Sequence, residues 1–448
     1  MGQHRAIVVG GGMGGLVTAR VLADHFDEVL ILDRDTIPDG SEVRAGAPQG
    51  NHFHTILPGG LEILEALLPG LASDLEAHGS QVPESHQFYF ITPQGKSYSQ
   101  LVHMPEPPPP ISGMIRTHQQ TRGLLERCVR DHVERVPNVR TRYQAMVREL
   151  VVDGERVCGV RIDGTDETID ADLVMDATGR VSRTLGWLDG LGFERPRESR
   201  IECDFAYATV RLRPADPARF ADVGCLIRGD LEHPLRGGGL VRMEDDTLLA
   251  MLAGRQGDHP PTDLEGIRAY AATLAGSQVH DALIDAEIVV EPQQFKFPRE
   301  IRRHYRELER FPEGLLPIAD AFCHFNPGFG QGMSSAARQA RALGEVLTRR
   351  AERGEGLDGL WREFFEAAHQ EVRAPWLLAA LGDFEHPGTK GDFPMEEQAA
   401  IAALGGLRER AIAGDWKAAG TLANLALMRV PLSVLDEDMT PAPEAVPA

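Results

Sequence analysis

"AIVVGGGMGGLVTARVLADHFDEVLILD", residues 6 to 33, decides the fold. AIVVG is a short apolar strand run and GGMGG a turn. LVTARVLADHF carries helical spacing at Leu16, Ala19, Val21 and Leu22, and EVLILD is a second buried strand. That order predicts a β-α-β unit. Within it Gly10, Gly12 and Gly15 form G-x-G-x-x-G directly after a strand and at a helix start. The first glycine permits the tight turn, the second lets backbone approach a pyrophosphate, and the third lets helix and strand pack closely. An anion then rests on free N–H groups at the positive helix end. Asp33 closes the second strand, 18 residues after Gly15, where a carboxylate can accept from ribose hydroxyls. The motif alone does not separate NAD from FAD, and a glycine-rich turn with no ligand is its bland reading.

A second stretch separates them. "PIADAFCHFNPGFGQGMSSAARQA", residues 317 to 340, sets one acid among apolar residues, then a proline and three glycines, then a helix. If Asp320 ends a strand beside the first one, its carboxylate meets a hydroxyl of a bound sugar-alcohol chain. Pro327 through Gly332 then bring bare N–H groups and a second helix start against the far end of the same cofactor. A helix start favours negative charge by about 0.3 to 1 kcal/mol when exposed and up to about 2 when partly buried. A ring that gains electrons and charge uses that site. The alternative for Asp320 is an N-cap or turn acid.

The rest of the chain frames these motifs. With 448 residues, 42% of them apolar and 25% charged, the chain is long enough for two or three domains. A net charge of −21 and four lysines argue against nucleic-acid binding. The basic run REIRRHYRELER (299–310) is expected to be a solvated helix face. Five scattered cysteines suit a reducing cytoplasm and show no metal-site spacing, and no apolar run is long enough to span a membrane. Residues 61–78 and 119–135 read as helices, and PEPPPP (105–110) as a crossover. Asp153-Gly154 and Asp163-Gly164 read as hairpin turns of a small meander ahead of the buried strand LVMDATG. Segment 193–292 is β-rich with a helix near 263–275. GLLPIAD is a strand leading to a helix from Met333, and 355–448 is mainly helical with a disordered tail after Pro441. Phe205, Tyr207, Leu226, Met243 and Met251 suit a greasy ligand, with a packed core as the default reading.

With these residues in view, the sequence resembles the FAD-dependent monooxygenases of the aromatic-hydroxylase superfamily. Gly10, Gly12, Gly15 and Asp33 match its nucleotide fingerprint, DATGRVSR (176–183) its second motif, and ADAFCHFNPGFGQG (319–332) its third. Ala319 stands where the third motif usually has glycine, and DATG where the second has ADG. A narrower resemblance, to the branch of bacterial polyether epoxidases and related natural-product tailoring enzymes, rests on RAGAPQGNHFHTILPGGLEILEALLPGL (44–71), on DATGRVSR and on residues 302–333. The resemblance implies an α/β (α+β) fold: a Rossmann-like FAD-binding domain of glutathione-reductase type, an inserted antiparallel-sheet substrate domain and a C-terminal helical region. The expected boundaries are 1–84, 113–192 and 293–352 for the first, 85–112 and 193–292 for the second, and 353–448 for the third.

It also implies site residues. Gly10, Gly12, Met13, Gly14, Gly15, Asp33, Arg34, Arg44, Arg122, Asp176, Gly179, Asp320, Pro327, Gly330, Gln331, Gly332 and Met333 would hold FAD. Arg44, Gln49, His52 and His54 would lie on a loop facing the flavin, and Arg44, His52, His54 and Pro327 would serve catalysis. Read from the residues alone, His52 and His54 are equally ordinary loop histidines. The implied chemistry is flavin reduction by NAD(P)H, directly or through a flavin reductase, and then reaction with O2 to a flavin 4a-hydroperoxide. That species epoxidises or hydroxylates a lipophilic polyketide, terpenoid or aromatic molecule. Three alternatives stay open: a halogenase, a flavin dehydrogenase or reductase, and a lipid-binding escort protein without catalysis. Against the halogenase, the four tryptophans are far apart and the first lysine is Lys96.

Overall fold

Short apolar runs flanking the glycine turn become the centre of a parallel sheet in the computed structural model. It describes residues 4–37, 40, 43–44, 46–82, 88–91, 97–99, 118–220 and 224–438. β1 (Arg5–Val9), α1 (Met13–Leu22) and β2 (Glu28–Leu32) form the β-α-β unit, with Ala6 opposite Val29 and Val9 opposite Leu32. The helix expected over 61–78 is two, α2 (Pro58–Leu67) and α3 (Leu71–Ala77). Pro69 and Gly70, whose φ of +91° suits glycine, separate them. Then come β3 (Phe88–Ile91), β4 (Ser97–Ser99), α4 (Arg122–Glu134) and β5 (Val139–Arg142). The meander β6 (Val147–Asp153), β7 (Arg156–Ile162) and β8 (Thr168–Asp170) turns at the two Asp-Gly pairs, and β9 (Leu173–Asp176) and α5 (Thr184–Gly190) follow.

The β-rich segment comprises β10 (Glu198–Pro214), β11 (Gly224–Arg228), β12 (Gly237–Arg242), β13 (Leu248–Arg255), α6 (Leu264–Ala271), α7 (Gln278–Asp285) and β14 (Ala286–Arg303). The chain ends with β15 (Leu315–Pro317), β16 (Cys323–His324), α8 (Gly332–Glu352), α9 (Leu360–Phe384), β17 (Lys390–Gly391), α10 (Gln398–Ile412), α11 (Trp416–Ala426) and α12 (Val434–Asp438). Two main sheets result. One runs β15-β9-β1-β2-β5, all parallel; the other runs β16-β14-β10-β13-β12-β11-β3-β4 with β17 on β10. Because β15 pairs with β9 and β9 with β1, the segment before Asp320 is carried to the glycine turn. The fold is thus mixed α/β: a Rossmann-like FAD-binding domain, an antiparallel-sheet domain and C-terminal helices. The proline run 105–110 and the tail after Pro441 lie outside the described residues.

β14, one continuous strand of 18 residues, runs through the expected boundary at 292/293. One expectation is corrected. The run 299–310 is not a solvated helix face: its first half completes β14, and Glu300, Arg302, Arg303, His304 and Tyr305 are all buried. Partners distant in sequence make this tolerable. Arg303 Nε donates to Glu198 Oε1 (3.0 Å), Arg302 NH2 to His369 Nδ1 (2.8 Å), and Glu300 Oε1 accepts from the Asn326 N–H (2.7 Å).

Candidate functional site

Two helix starts open on one cavity of about 1160 Å³. α1 begins behind Gly12 and α8 behind Gln331; neither has a side-chain cap or an acid in its first turn. An α-helix leaves its first N–H groups without internal partners, and side chains normally satisfy them. Here those groups are turned towards a space instead, at two positive helix ends.

Between them stands Asp320, on a 3-10 turn of residues 319–321. It lines the cavity, and no group among the described residues donates a hydrogen bond to its carboxylate. Burial pushes its pKa up, while Arg180, Arg122 and Arg303 pull it back. Gln331 is 4% exposed with Oε1 unpartnered, and a Cβ on Gly332 would meet nothing nearer than Asp320 Oδ1, at 4.0 Å. Orphaned acceptors beside bare N–H groups fit a ligand with hydroxyls between an anionic pyrophosphate and a ring that takes on negative charge when reduced, as FAD has.

The glycines divide by what surrounds them. A Cβ on Gly15 would come 1.8 Å from the Gly10 carbonyl oxygen, so β1 and α1 pack only with glycine there. Gly10 (φ +104°) abuts the Ala177 carbonyl, whereas a Cβ on Gly12 would touch only an Arg44 nitrogen at 3.4 Å and otherwise point into the cavity. Gly14 leaves room for Ala319, which takes a left-handed φ of +58° where the resembled motif has glycine.

Beside Gly12 a buried charge cluster fixes the wall. Glu126 receives Arg44 Nε (2.5 Å), Arg130 NH2 (2.9 Å) and Arg122 Nε and NH2 (both 3.2 Å). Arg44 NH1 also donates to Asp33 (2.9 Å) and Asp35 (3.0 Å), and Asp33 accepts from the Gly11 N–H at 2.6 Å. Burial works against the charge on Glu126, but the three arginines hold its carboxyl below the usual range. Arg44 therefore sits in the glycine cradle, bound to three acids through Nε and NH1. Gly11, whose N–H orients Asp33, was not singled out in the sequence.

The other expected residues separate as follows. Met13, Arg34, Gln49, Gly179, Pro327, Gly330 and Met333 line the same cavity, as do His54 and Arg122. His52 does not: it is 4% exposed, its Nδ1 is 3.0 Å from Thr209 Oγ1, and its ring packs edge-on against Tyr207. Asp176 does not line the cavity, and its fully buried carboxylate is held by its own loop. It accepts from the Thr178, Ser182 and Thr184 hydroxyls at 2.5, 2.6 and 2.6 Å. Phe205, Tyr207, Leu226, Met243 and Met251 line the cavity on the sheet side, so their expected role as core filling is incomplete. Arg180, missed in the sequence, enters from the second motif and lies over Phe295, 4.8 Å from its ring centroid. The cavity continues between the C-terminal helices past Leu378, Leu381, Leu404 and Leu422. Among the described residues there is no cluster of three His, Cys, Asp or Glu able to hold a metal, and no helix is long and apolar enough to cross a membrane.

Two predictions follow from burial. Asp320→Asn removes an unpartnered carboxylate, so the ligand-free protein should melt slightly higher, while FAD should bind about tenfold more weakly for loss of a charged hydrogen bond. Thermal melting and FAD fluorescence titration check both signs; unchanged FAD affinity would make Asp320 a turn residue. The second concerns acid. Burial lowers the pKa of His52, His304 and His386 to about 4 and of His54 and His324 to about 3, from the ordinary 6.5. The unfolded chain binds protons on these residues below pH 6.5 when the folded chain does not, so stability is full above that pH and is lost as pH falls towards 4. For a residue as buried as His324 the slope is about 1.4 kcal/mol per pH unit. Glu300 and Asp320, whose carboxyls are pushed up by burial, work in the opposite sense but are outnumbered. The melting temperature should fall steadily from pH 6.5 to 5; a flat profile would mean these histidines are charged in the folded protein.

Known proteins resemble this chain in sequence and fold. A family model described as "FAD binding domain" matches residues 3–374. Protein Rv3254 of Mycobacterium tuberculosis is 30% identical over 407 residues, covering 88% of this chain and 83% of its own. Kynurenine 3-monooxygenase of Salinispora tropica is 24% identical over 402 residues, covering 83% and 77%. The crystal structure of pqsL, a probable FAD-dependent monooxygenase from Pseudomonas aeruginosa, superposes with a TM-score of 0.62 at 16% identity, over 86% of this chain and all of the other. The glycine cradle, the second helix start and the matched span together place the chain in the FAD-binding-domain family, with the fold of the aromatic-hydroxylase type of flavoprotein monooxygenase.

Proposed function

We propose that the chain is a FAD-dependent monooxygenase, an epoxidase or hydroxylase, that uses NAD(P)H and O2 on a small lipophilic molecule. The observation that carries this reading is the pair of uncapped helix starts, with the unpartnered Asp320 between them, facing a cavity that runs on into an apolar chamber. The pyrophosphate is assigned to the N–H groups of residues 12–14 beside Arg44, the ribityl hydroxyls to Asp320, and the ring to Pro327–Met333. When bound, FAD stores the reducing electrons and activates O2.

This chain's residues supply the remainder. α8 offers its positive end to negative charge, Asp320 accepts from a sugar-alcohol hydroxyl, and Phe205, Leu226, Met243 and Met251 exclude water from the reacting face. His54, kept neutral by burial and by the nearby Arg122, is a hydrogen-bonding wall of the site and not a cation. The kinship with polyether epoxidases and other natural-product tailoring enzymes belongs to this proposal, as does action in the cytoplasm, which five free cysteines suit.

The test has three steps. Purified protein should be yellow or take up FAD. NADPH without oxygen should bleach it, and failure to bleach unless a flavin reductase is added assigns reduction to a second protein. Incubation with candidate polyenes and phenols under labelled oxygen should then give a product one labelled oxygen heavier by mass spectrometry. FAD uptake with hydrogen removal and no label would replace the monooxygenase by a dehydrogenase.

A further inference from the structure

The far end of the cavity is walled by hydrocarbon. Past Phe329 it runs between α9, α10 and α11, and each helix turns one face to it at helical spacing. On α10 that face holds Ile401, Leu404, Gly405 and Ile412. On α11 it holds Ala419, Leu422 and Ala423, and α9 adds Leu378 and Leu381. The helices pack together chiefly through other positions, Leu377, Leu407, Ala418 and Leu425, all of them buried. Residues 399–407 of α10 read AAIAALGGL, apolar on every side, as in a helix that is covered all round. Yet Ile401 is only half-buried and Gly405 is exposed, so the face towards the channel is left partly uncovered by the described residues. Charge enters at the rim: Glu385 and Arg408 line the cavity and are exposed, as is Ile412 at 63%. No other side chain with which these helices line the channel carries a polar atom. Such a space holds water poorly, because a buried water needs two or more polar partners. The inner end of the channel meets the turn assigned to the FAD ring. A Cβ on Gly382 of α9 would come 2.6 Å from the Phe329 ring, so glycine there lets α9 close onto residues 327–330.

We propose that this channel holds a hydrocarbon tail of the substrate: the molecule oxidised here presents its reacting group at the Pro327–Gly330 turn and lays an aliphatic chain between α9, α10 and α11. The inference rests on the monooxygenase reading for what happens at the reacting end, while binding of the tail needs only the channel. The length follows from α10. From Ile401 to Ile412 the helix rises roughly 16 Å, room for a chain of about a dozen carbons. The chemistry follows from the walls: aliphatic side chains gain from every methylene taken out of water and offer nothing to a hydroxyl or a charge, so a polar tail is rejected. They also disfavour a peptide as the occupant. An extended segment of this chain, or of a second copy, would set its backbone N–H and C=O groups against walls that cannot pair with them.

The test is calorimetry of FAD-loaded protein with 4-ethyl-, 4-butyl-, 4-hexyl- and 4-octylphenol, the weaker members read by competition against octylphenol. Affinity should rise about two- to fourfold per added methylene. Gly405→Phe then locates the tail. A Cβ at this position meets nothing within 4 Å, so the ring enters the channel without straining α10. Octylphenol should bind about tenfold more weakly or worse, and ethylphenol as before. Ala423→Phe, from α11, should repeat that loss. Gly406→Phe is the control, one residue on, equally unobstructed and off the cavity wall, and should leave the whole series unchanged. Retained ethylphenol binding shows that a variant is folded with its reacting end intact. Affinity that does not grow with chain length, as when the chain's own end or a second copy fills the channel, overturns the proposal. So does octylphenol binding that survives Gly405→Phe, or that falls equally in Gly406→Phe. Equal losses of ethyl- and octylphenol in Gly405→Phe put the tail elsewhere and overturn it too. If the protein takes up no FAD, the monooxygenase reading fails separately, and the same series on the ligand-free protein still decides the channel.

Discussion

Gly12→Leu should abolish FAD retention while the ligand-free protein stays folded. Gly12 has φ −77° and ψ −179°, extended backbone that leucine adopts without strain. Its added side chain would meet only an Arg44 nitrogen at 3.4 Å, and otherwise fills the space in front of the α1 N–H groups. The pyrophosphate assigned there would lose its backbone donors, so affinity should fall about a hundredfold or more, roughly 2.7 kcal/mol. Gly15→Ala is the control with the opposite profile. Its methyl would be 1.8 Å from the Gly10 carbonyl oxygen, so β1 and α1 must part and the chain should be largely insoluble. FAD titration by fluorescence and melting of the ligand-free protein separate the two. Tight FAD in Gly12→Leu would show that the cradle holds something else.

That contrast also marks what the sequence makes legible. Neighbours in sequence determine the β-α-β unit, and the glycine spacing follows from one turn, so both are readable from a few residues. The second helix start is readable for the same reason: Asn326, Pro327 and the glycines up to Gly332 allow a turn and then a helix. Charge burial is different. REIRRHYRELER is locally indistinguishable from a solvated amphipathic run, because what buries it, Glu198, Asn326 and His369, stands up to 105 residues away. Asp176 shows the same limit. An acid at a strand end close to a glycine looks like a ligand, and the three hydroxyls that close over it come into view only in the fold. Arg180 was overlooked because a lone arginine after a motif has no pattern; its meaning comes from β14, which brings Phe295 beneath it.

The buried pair Asp383 and Glu300 gives the other large effect, and it is asymmetric. Both side chains are fully buried, Asp383 in α9 and Glu300 in β14. Asp383 is spoken for as an acceptor: Arg255 NH1 donates to it at 2.5 Å and Asn326 Nδ2 at 2.9 and 3.1 Å. The same Asn326 accepts the Gly328 N–H at 2.9 Å, so Asp383 indirectly holds the turn that leads to α8. Glu300 has one oxygen on the Asn326 N–H and the other unpartnered, and burial together with the nearby Asp383 pushes its pKa well above the usual range. Burial and Asp383 thus favour the protonated form of Glu300, and Glu300→Gln should cost at most about 1 kcal/mol. Asp383→Ala strands a buried guanidinium and a buried amide, and should cost about 3 to 5 kcal/mol. It should also slow FAD uptake by loosening residues 326–330, an effect Glu300→Gln lacks. In Asp383→Ala the repulsion that keeps Glu300 neutral is gone, so Glu300 should ionise more readily and recover part of the loss as pH rises. Urea unfolding of both variants at pH 6 and 8 measures the difference. Equal costs for the two substitutions would mean that Glu300 carries a charge after all and that the two acids share the arginine.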